Sequence, residues 1–199
     1  TKPIFPSFNQ LGRSSVFLGF ALTPTLTVGQ ATFEEIRDLA LGGNSSAQFN
    51  LGVIHDTGQG VPEDNIEAAK WYRLAADQGN ADAQYNLGVM YDTGEGVPEN
   101  DAEAVRWHRL AAERGNAEAQ YNLGVSYYIG EGVPQDYVHA HAWLGIALSS
   151  GNEDALEERL RLEQQMTATQ ISEAQELLTE IHERIQKNQK ANLQKQSYY

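Results

Sequence analysis

Histidine is the residue type in this sequence that could serve the largest number of chemical roles, because imidazole binds metal ions and transfers protons near neutral pH. The chain contains five histidines. His139 and His141 are two residues apart in a segment with helical periodicity, so their side chains point about 200° apart and cannot chelate one ion. His55 and His108 stand where related segments of the chain have tyrosine. The sequence therefore predicts no metal site and no cofactor.

The other reactive residue types give no catalytic pattern. The chain has no cysteine, which excludes thiol catalysis, a zinc–thiolate site and a disulfide framework. Three Gly-X-Gly-Val-Pro segments could suggest phosphate-binding loops, but such a loop follows a strand and supplies a lysine, and neither is found here. The carboxylates are spread over polar helix faces, with no pair set apart as acid and base. These features predict a protein that is not an enzyme.

The charge balance narrows the choice of partner. The chain has 14 basic and 27 acidic residues, which give a formal net charge of −13. A surface this negative repels the phosphate backbone of nucleic acids and anionic lipid headgroups. Hydrophobic residues make up 41% of the chain, enough to bury a core. We therefore predict a monomer whose partner is a protein or peptide, with no nucleic acid and no membrane insertion.

An internal repeat organises most of the chain. The sequence AQFNLGVIHDTGQGVPED recurs as AQYNLGVMYDTGEGVPEN and AQYNLGVSYYIGEGVPQD, and the interval is 36 residues both times. Residues 47–82 and 83–118 share 23 identities in 36 positions. Such similarity indicates tandem duplication, so we divide residues 47–154 into three units: 47–82, 83–118 and 119–154.

The sequence of each unit predicts a helical hairpin. In the second unit, Leu87 and Tyr91 belong to one apolar stripe of a first helix. Residues 94–98, GEGVP, interrupt that helix, because glycine ends helices and proline suits the first turn of the next one. A second helix follows, with a wide apolar face around Trp107 that predicts a core position for the indole. Gly-Asn at 115–116 then turns the chain into the third unit.

Both ends of the array have a degenerate capping segment, since a single hairpin cannot bury its own apolar face. Residues 32–46 predict a lone helix with an apolar stripe that includes Leu39. Residues 155–187 predict capping helices, the last of which begins at a capping-box pair, Thr167 and Gln170. The residues from 188 to 199 have no apolar pattern and predict a flexible tail.

The first 31 residues differ in composition from the rest. Lys2 and Arg13 are their only charged residues, and an apolar run extends from Val16 to Leu22. That run is too short to span a bilayer, which takes about 20 residues. Small residues, Gly29 and Ala31, follow at the spacing of a signal-peptidase site. Residues 1–31 therefore predict a signal peptide cleaved near Ala31 and a periplasmic or secreted bacterial protein, or a cytoplasmic one if the leader is not a signal.

The pattern LGxxYxxGxGVxxD…W…AA…GN resembles the Sel1-like repeat family, a tetratricopeptide-like family of helical hairpins. All three units match, with His55 in place of the tyrosine and Asn100 in place of the aspartate, and with residues 146–148 departing from Leu-Ala-Ala. The resemblance covers about residues 47–155. It implies an all-α, right-handed α/α superhelical solenoid of about three hairpins, and a non-catalytic scaffold that binds other proteins.

Two other functions stay open at this stage. Some exported members of the family regulate or assemble envelope polysaccharide, and the predicted export is the only feature that supports this reading. Other relatives bind penicillin-like ligands and have been described as β-lactamases. Those relatives carry a disulfide in each repeat, whereas this chain has no cysteine and no serine in an SxxK context.

Asn50, Asn86 and Asn122 occupy the same position of each unit and are the leading candidates for partner binding. On a helical wheel Asn86 lies about 100° from the core side, with Met90 and Thr93 close by. In such solenoids the first helices line the concave groove, where a row of amides can clamp the backbone of an extended peptide. The alternative is that these asparagines bond to a neighbouring loop carbonyl and hold the hairpin turn.

Overall fold

The computed structural model describes residues 32–196 of the chain. This part of the chain consists of helices and turns and contains no strand. Each helix packs against the one before it and the one after it through α8, so the helices form a stacked array. The helices are α1 (Phe33–Leu41), α2 (Ser45–Thr57), α3 (Asn65–Asp77), α4 (Ala81–Thr93), α5 (Asp101–Ala112), α6 (Ala117–Ile129), α7 (Tyr137–Ser149), α8 (Asp154–Glu163) and α9 (Ala168–Gln196).

The first helices of the three repeats are α2, α4 and α6, and the same devices fix their two ends. An asparagine side chain accepts a hydrogen bond of 2.9 Å from the backbone N–H three residues later, at Asn44, Asn80 and Asn116. Each helix ends at a glycine in the left-handed conformation, which a side chain would strain: Gly58, Gly94 and Gly130. The Gly-X-Gly-Val-Pro segments are therefore helix-ending turns.

A glycine in each first helix lets the following second helix approach closely. A Cβ atom at Gly88 would lie 2.6 Å from the His108 ring, and one at Gly124 would lie 2.8 Å from Cγ of Leu144. The equivalent Gly52 accommodates the ring of Tyr72 in the same way. The side chain that uses the space is the one at the equivalent position of each second helix, which is Tyr72, His108 or Leu144.

The three tryptophans lie on the second helices α3, α5 and α7. Trp107 and Trp143 are buried in the core, as the sequence predicts. Trp71 is partly buried and packs on a small cluster that includes Ala40 and Leu51. Its partial exposure has a physical reason: the first repeat packs on α1, which is only nine residues long.

The last helix, α9, packs against α7 and does not form a hairpin with α8. The predicted capping box is present, because Thr167 Oγ1 accepts from the Gln170 N–H at 3.3 Å and Gln170 Oε1 accepts from the Thr167 N–H at 2.9 Å. The apolar stripe of α9 buries Ala174, Ile181 and Ile185. Leu178 of the same stripe occupies the space that Gly145 leaves on α7, because a Cβ at Gly145 would lie 2.4 Å from the Leu178 side chain. This helix therefore caps the array from the side of α7.

Two terminal segments differ from what their sequence alone indicates. The segment from residue 188, predicted to be a flexible tail, is helical through Gln196, and residues 197–199 lie outside the described part of the chain. It is rich in glutamine and lysine and has no glycine or proline, so helix propensity carries α9 onward without an apolar face. Leu39, predicted to belong to a packed stripe, is 54% exposed, because within residues 32–196 no element packs on that side of α1.

The described part of the chain begins at Thr32, and the predicted signal peptide, residues 1–31, lies outside it. Thr32 caps α1 through a reciprocal pair of hydrogen bonds with Glu35, at 3.3 Å to its N–H and 2.8 Å to its carboxylate. None of the helices between residues 32 and 196 combines the length and apolarity that a membrane crossing requires.

Candidate functional site on the first helices

The position of each first helix is set by a hydrogen bond to the preceding second helix. A buried glutamine one turn after the Asn cap donates from Nε2 to the last carbonyls of that helix. The distances are 3.1 Å from Gln48 to Ala40, 2.9 Å from Gln84 to Ala76 and 3.1 Å from Gln120 to Ala112. Buried polar groups of this kind need their partner, so the bond holds consecutive hairpins in one register. Equivalent residues of the three first helices therefore face the same way.

The three asparagines predicted to bind a partner do not have equal surroundings. Asn86 is partly buried and lies beside the hydroxyl of Tyr72, on the second helix of the preceding repeat. Asn122 is also partly buried, and its Nδ2 lies 3.5 Å from Nε2 of His108. Asn50 is exposed, and within residues 32–196 no hydrogen bond holds its side chain. The partner of the two inner asparagines is thus a ring of the preceding repeat and not a loop carbonyl.

The same two rings also bond to an aspartate of their own repeat. The Tyr72 hydroxyl donates to Asp56 Oδ2 at 3.0 Å, and Nε2 of His108 lies 2.7 Å from Asp92 Oδ2. Burial raises the pKa of the Tyr72 hydroxyl, and the carboxylate beside it raises that pKa further. An aspartate, a buried ring and the asparagine of the next repeat therefore form a chain of polar contacts across each of the first two repeat junctions. Asn86 contributes to the stability of the array whether or not it also binds a partner.

Two further residues of the predicted groove differ from each other in burial. Met90 is only 4% exposed and packs in the core cluster that contains Leu87 and Trp107, so its prediction as a binding residue is wrong. Thr93 is partly exposed at the end of α4, and its hydroxyl accepts from the Glu95 N–H at 3.4 Å. The helical wheel could not distinguish these two positions, because it describes one helix in isolation, whereas Met90 is buried by contacts with other helices.

Aromatic residues that the sequence analysis did not select lie between successive first helices. Tyr85 and Tyr121 are partly buried and pack against the core of the third repeat. Burial raises the pKa of Tyr85 to about 12, with a contribution from Glu118 on the next first helix. Burial and the carboxylates of α8, Glu158 foremost, raise the pKa of Tyr121 to about 12. Each tyrosine therefore lies beside carboxylates of the following helix.

The histidines of α7 face different neighbours, as their spacing predicts. Nδ1 of His139 lies 2.8 Å from Asp136 Oδ2, next to the N-terminus of the helix. His141 is fully buried, and its Nε2 lies 2.7 Å from Glu163 Oε1. Burial lowers the pKa of His141, which favours the neutral imidazole. Across residues 32–196, no three His, Asp or Glu side chains are grouped in a way that could hold a metal ion.

A cavity of about 240 Å³ lies on the opposite side of the array, where α9 crosses the second helices. Arg109 donates to the Tyr127 hydroxyl at 2.8 Å, and Arg184 of α9 lies 3.7 Å from Glu113. The rest of the lining comes from His139, Trp143, Leu177 and Ile181. The sequence analysis did not identify this cavity. One signal could have done so: α7 has no Lys, Arg, Asp or Glu, and a helix without charges must be covered on all sides.

The stacked hairpins, with the same side chains at equivalent positions of each first helix, define an α-helical repeat protein of the solenoid class. A profile of the Sel1 repeat matches residues 45–80, 81–116 and 117–152, which together make up more than half of the chain. The chain belongs to the Sel1 repeat family. Repeats of this family typically serve as protein-interaction scaffolds. The profile begins each unit two residues before the division 47–82, 83–118 and 119–154, with the same 36-residue period.

Solved structures with the same fold support the assignment. A Sel1 repeat protein from Oxalobacter formigenes is 37% identical, with a TM-score of 0.58 over 59% of this chain and 49% of that one. The protein c5321, a protective antigen present in uropathogenic Escherichia coli strains, displays an SLR fold. It is 31% identical, with a TM-score of 0.60 over 81% of this chain and 43% of that one. This chain thus spans less than half the length of either structure. None of the curated proteins matches the sequence.

Proposed function

We propose that the chain is a non-catalytic scaffold that binds a protein or peptide through the exposed face of α2, α4 and α6. The observation that carries this proposal is the position of α9. The helix packs against α7, on the second-helix side, and within residues 32–196 no element packs across the face of the first helices. Solenoids bind along extended faces built from equivalent positions, and the path of α9 leaves this face open.

The composition of this face supports binding to a peptide backbone. Its central position is asparagine in every repeat, and three residues further along each helix lies a partly buried valine, at 53, 89 and 125. An amide offers both a donor and an acceptor, and a partly exposed valine offers apolar contact. Asn50 is the clearest case, because its amide is exposed and has no structural bond among the described residues. Thr93 and the two inner asparagines extend the proposed surface along α4 and α6.

Asn50→Ala is expected to weaken partner binding about fivefold, the loss of roughly one hydrogen bond, without changing stability. The measurement is calorimetric titration with a partner first captured by residues 32–199 from the native host, identified by mass spectrometry and then purified. Asn188→Ala on the exposed part of α9 is the matched control and should bind as the unaltered chain does. Equal affinity for all three proteins would contradict a role of the α2 face.

Asn86→Ala is a different test, because it also removes the contact with the Tyr72 hydroxyl. We expect it to lower the free energy of unfolding by about 1 kcal/mol, since the hydroxyl keeps its bond to Asp56. Circular dichroism during urea denaturation measures this change. If Asn86→Ala loses stability but binds the purified partner normally, the inner asparagines serve only the repeat junction.

Export of the protein is part of the same proposal. Cleavage after Ala31 would leave Thr32 in place, and the capping box with Glu35 uses only residues that remain. Mass spectrometry of the protein recovered from its native host is expected to show a chain that begins at Thr32, in the periplasmic or secreted fraction. Recovery of residues 1–30 in the mature cytosolic protein would contradict export.

A further inference from the structure

The net charge of the repeats lies entirely on the first helices and the loops that follow them. The segments 44–64, 80–100 and 116–136 contain ten acidic residues and no lysine or arginine. In the second-helix segments the acidic and basic residues are equal in number: 65–79 has two of each, 101–115 has three of each, and 137–151 has none. Ten of the thirteen net negative charges of the chain therefore lie on one side of the hairpins.

The acidic residues on the two sides also differ in their partners. On the second helices, Glu67 pairs with Lys70 at 2.8 Å and Glu103 pairs with Arg106 at 3.1 Å. None of the ten acidic residues of the first-helix segments forms an ion pair with a lysine or arginine within residues 32–196. The negative charge of this side is consequently not neutralised by the part of the chain that the structure describes.

Successive hairpin loops pack against one another, because the backbone of Asn65 lies directly against Gly96 of the next loop, and that of Asp101 lies against Gly132. Burial raises the pKa of Asp56, and Glu95 of the next repeat and Glu63 raise it further. Burial also raises the pKa of Glu131, and so do three carboxylates of the preceding repeat, Glu99 among them. The exposed residues Glu63, Glu95, Glu99 and Glu131 form what we call the acidic edge. This edge runs across all three repeats at the ends of the first helices.

We infer that the acidic edge, with the adjoining first-helix face, receives a lysine- or arginine-rich extended segment of a partner protein. The inference rests on the proposed function and names the chemistry of the partner. A cationic segment would pair with carboxylates that have no cation now and would relieve their mutual repulsion.

The test uses a defined probe: a short fluorescein-labelled peptide of alternating lysine and alanine, with a second peptide in which glutamine replaces each lysine. Fluorescence anisotropy is expected to show binding of the lysine peptide only, and weaker binding at high salt, because salt screens exposed charges. Binding of the lysine peptide should fall roughly fifteenfold when the four charges of the acidic edge are neutralised, at about twofold for each exposed charge. That variant is Glu63→Gln, Glu95→Gln, Glu99→Gln and Glu131→Gln.

The matched control removes the same number of negative charges from the exposed surface of α9: Glu173→Gln, Glu176→Gln, Glu180→Gln and Glu183→Gln. This variant should bind the lysine peptide within about twofold of the unaltered chain, because α9 packs against α7 and not across the first helices. Equal losses in the two variants would overturn the inference, since the attraction would then come from net charge alone.

A second copy of the chain is the other possible cationic occupant, because residues 184–199 contain four basic residues and no acidic one. Analytical ultracentrifugation would detect this self-association. If the chain self-associates at low salt, and neutralising the acidic edge abolishes the association, the occupant of the edge is residues 184–199 of a second copy and not a partner protein. The scaffold proposal has a separate outcome. If the natural partner depends on Asn50 but not on the acidic edge, only the charge inference fails. If it depends on neither, both fail.

Discussion

Replacement of Trp107 by alanine is expected to lower the free energy of unfolding by about 3–5 kcal/mol, as for other buried aromatic residues truncated to alanine. The indole is 2% exposed and packs between two repeats, in a core cluster with Leu87 and Met90. The guanidinium carbons of Arg73 and Arg106 lie 5.5 Å and 4.2 Å from the ring. The loss therefore combines apolar burial, a residual cavity and two cation–π contacts.

Trp71→Ala is the matched control, because it removes the same side chain from the first repeat. Trp71 is only partly buried, so we expect a loss of less than about 2 kcal/mol. Urea denaturation followed by circular dichroism measures both variants. A loss of less than about 1 kcal/mol for Trp107→Ala would show that the indole is not a core residue in solution, and the second-helix side would then have to be considered as a binding surface.

The second large effect is expected from Gly96→Ala, in the hairpin loop of the second repeat. The φ angle of Gly96 is +73°, a conformation that costs other residues about 1–2 kcal/mol. A Cβ atom there would also lie 2.1 Å from the carbonyl oxygen of Asn65, at the start of α3 in the preceding repeat. Because the atom it meets is backbone, a rotamer change cannot relieve the clash. We expect a total loss of about 2–5 kcal/mol.

Gly60→Ala isolates the conformational part of this loss. Gly60 holds the equivalent position of the first repeat with a φ of +78°, and among the described residues nothing lies within 4 Å of a Cβ placed there. Its substitution should therefore cost about 1–2 kcal/mol. Similar losses for the two variants in urea denaturation would mean that the loop of one repeat does not rest on the second helix of the repeat before it.

The sequence by itself determined the features that depend on residues close together in the chain. The 36-residue period, the turns at Gly94 and Gly115, and the capping box at Thr167 are all confirmed. Their physical causes are local: helix caps, left-handed glycines and apolar stripes involve residues within one or two turns of each other. Repetition of the pattern then implied stacking, because one hairpin cannot bury its own apolar face.

The tertiary structure alone decided how the polar residues of the first helices are used. Asn86 and Asn50 are equivalent in sequence, yet Asn86 is partly buried beside Tyr72 of the preceding repeat and Asn50 is exposed. Met90 belongs to the core although the wheel places it near the groove. The path of α9 across α7 follows from Gly145 and the space it leaves for Leu178. Each of these outcomes depends on contacts between residues far apart in the chain, and the periodicity of a single helix contains no information about them.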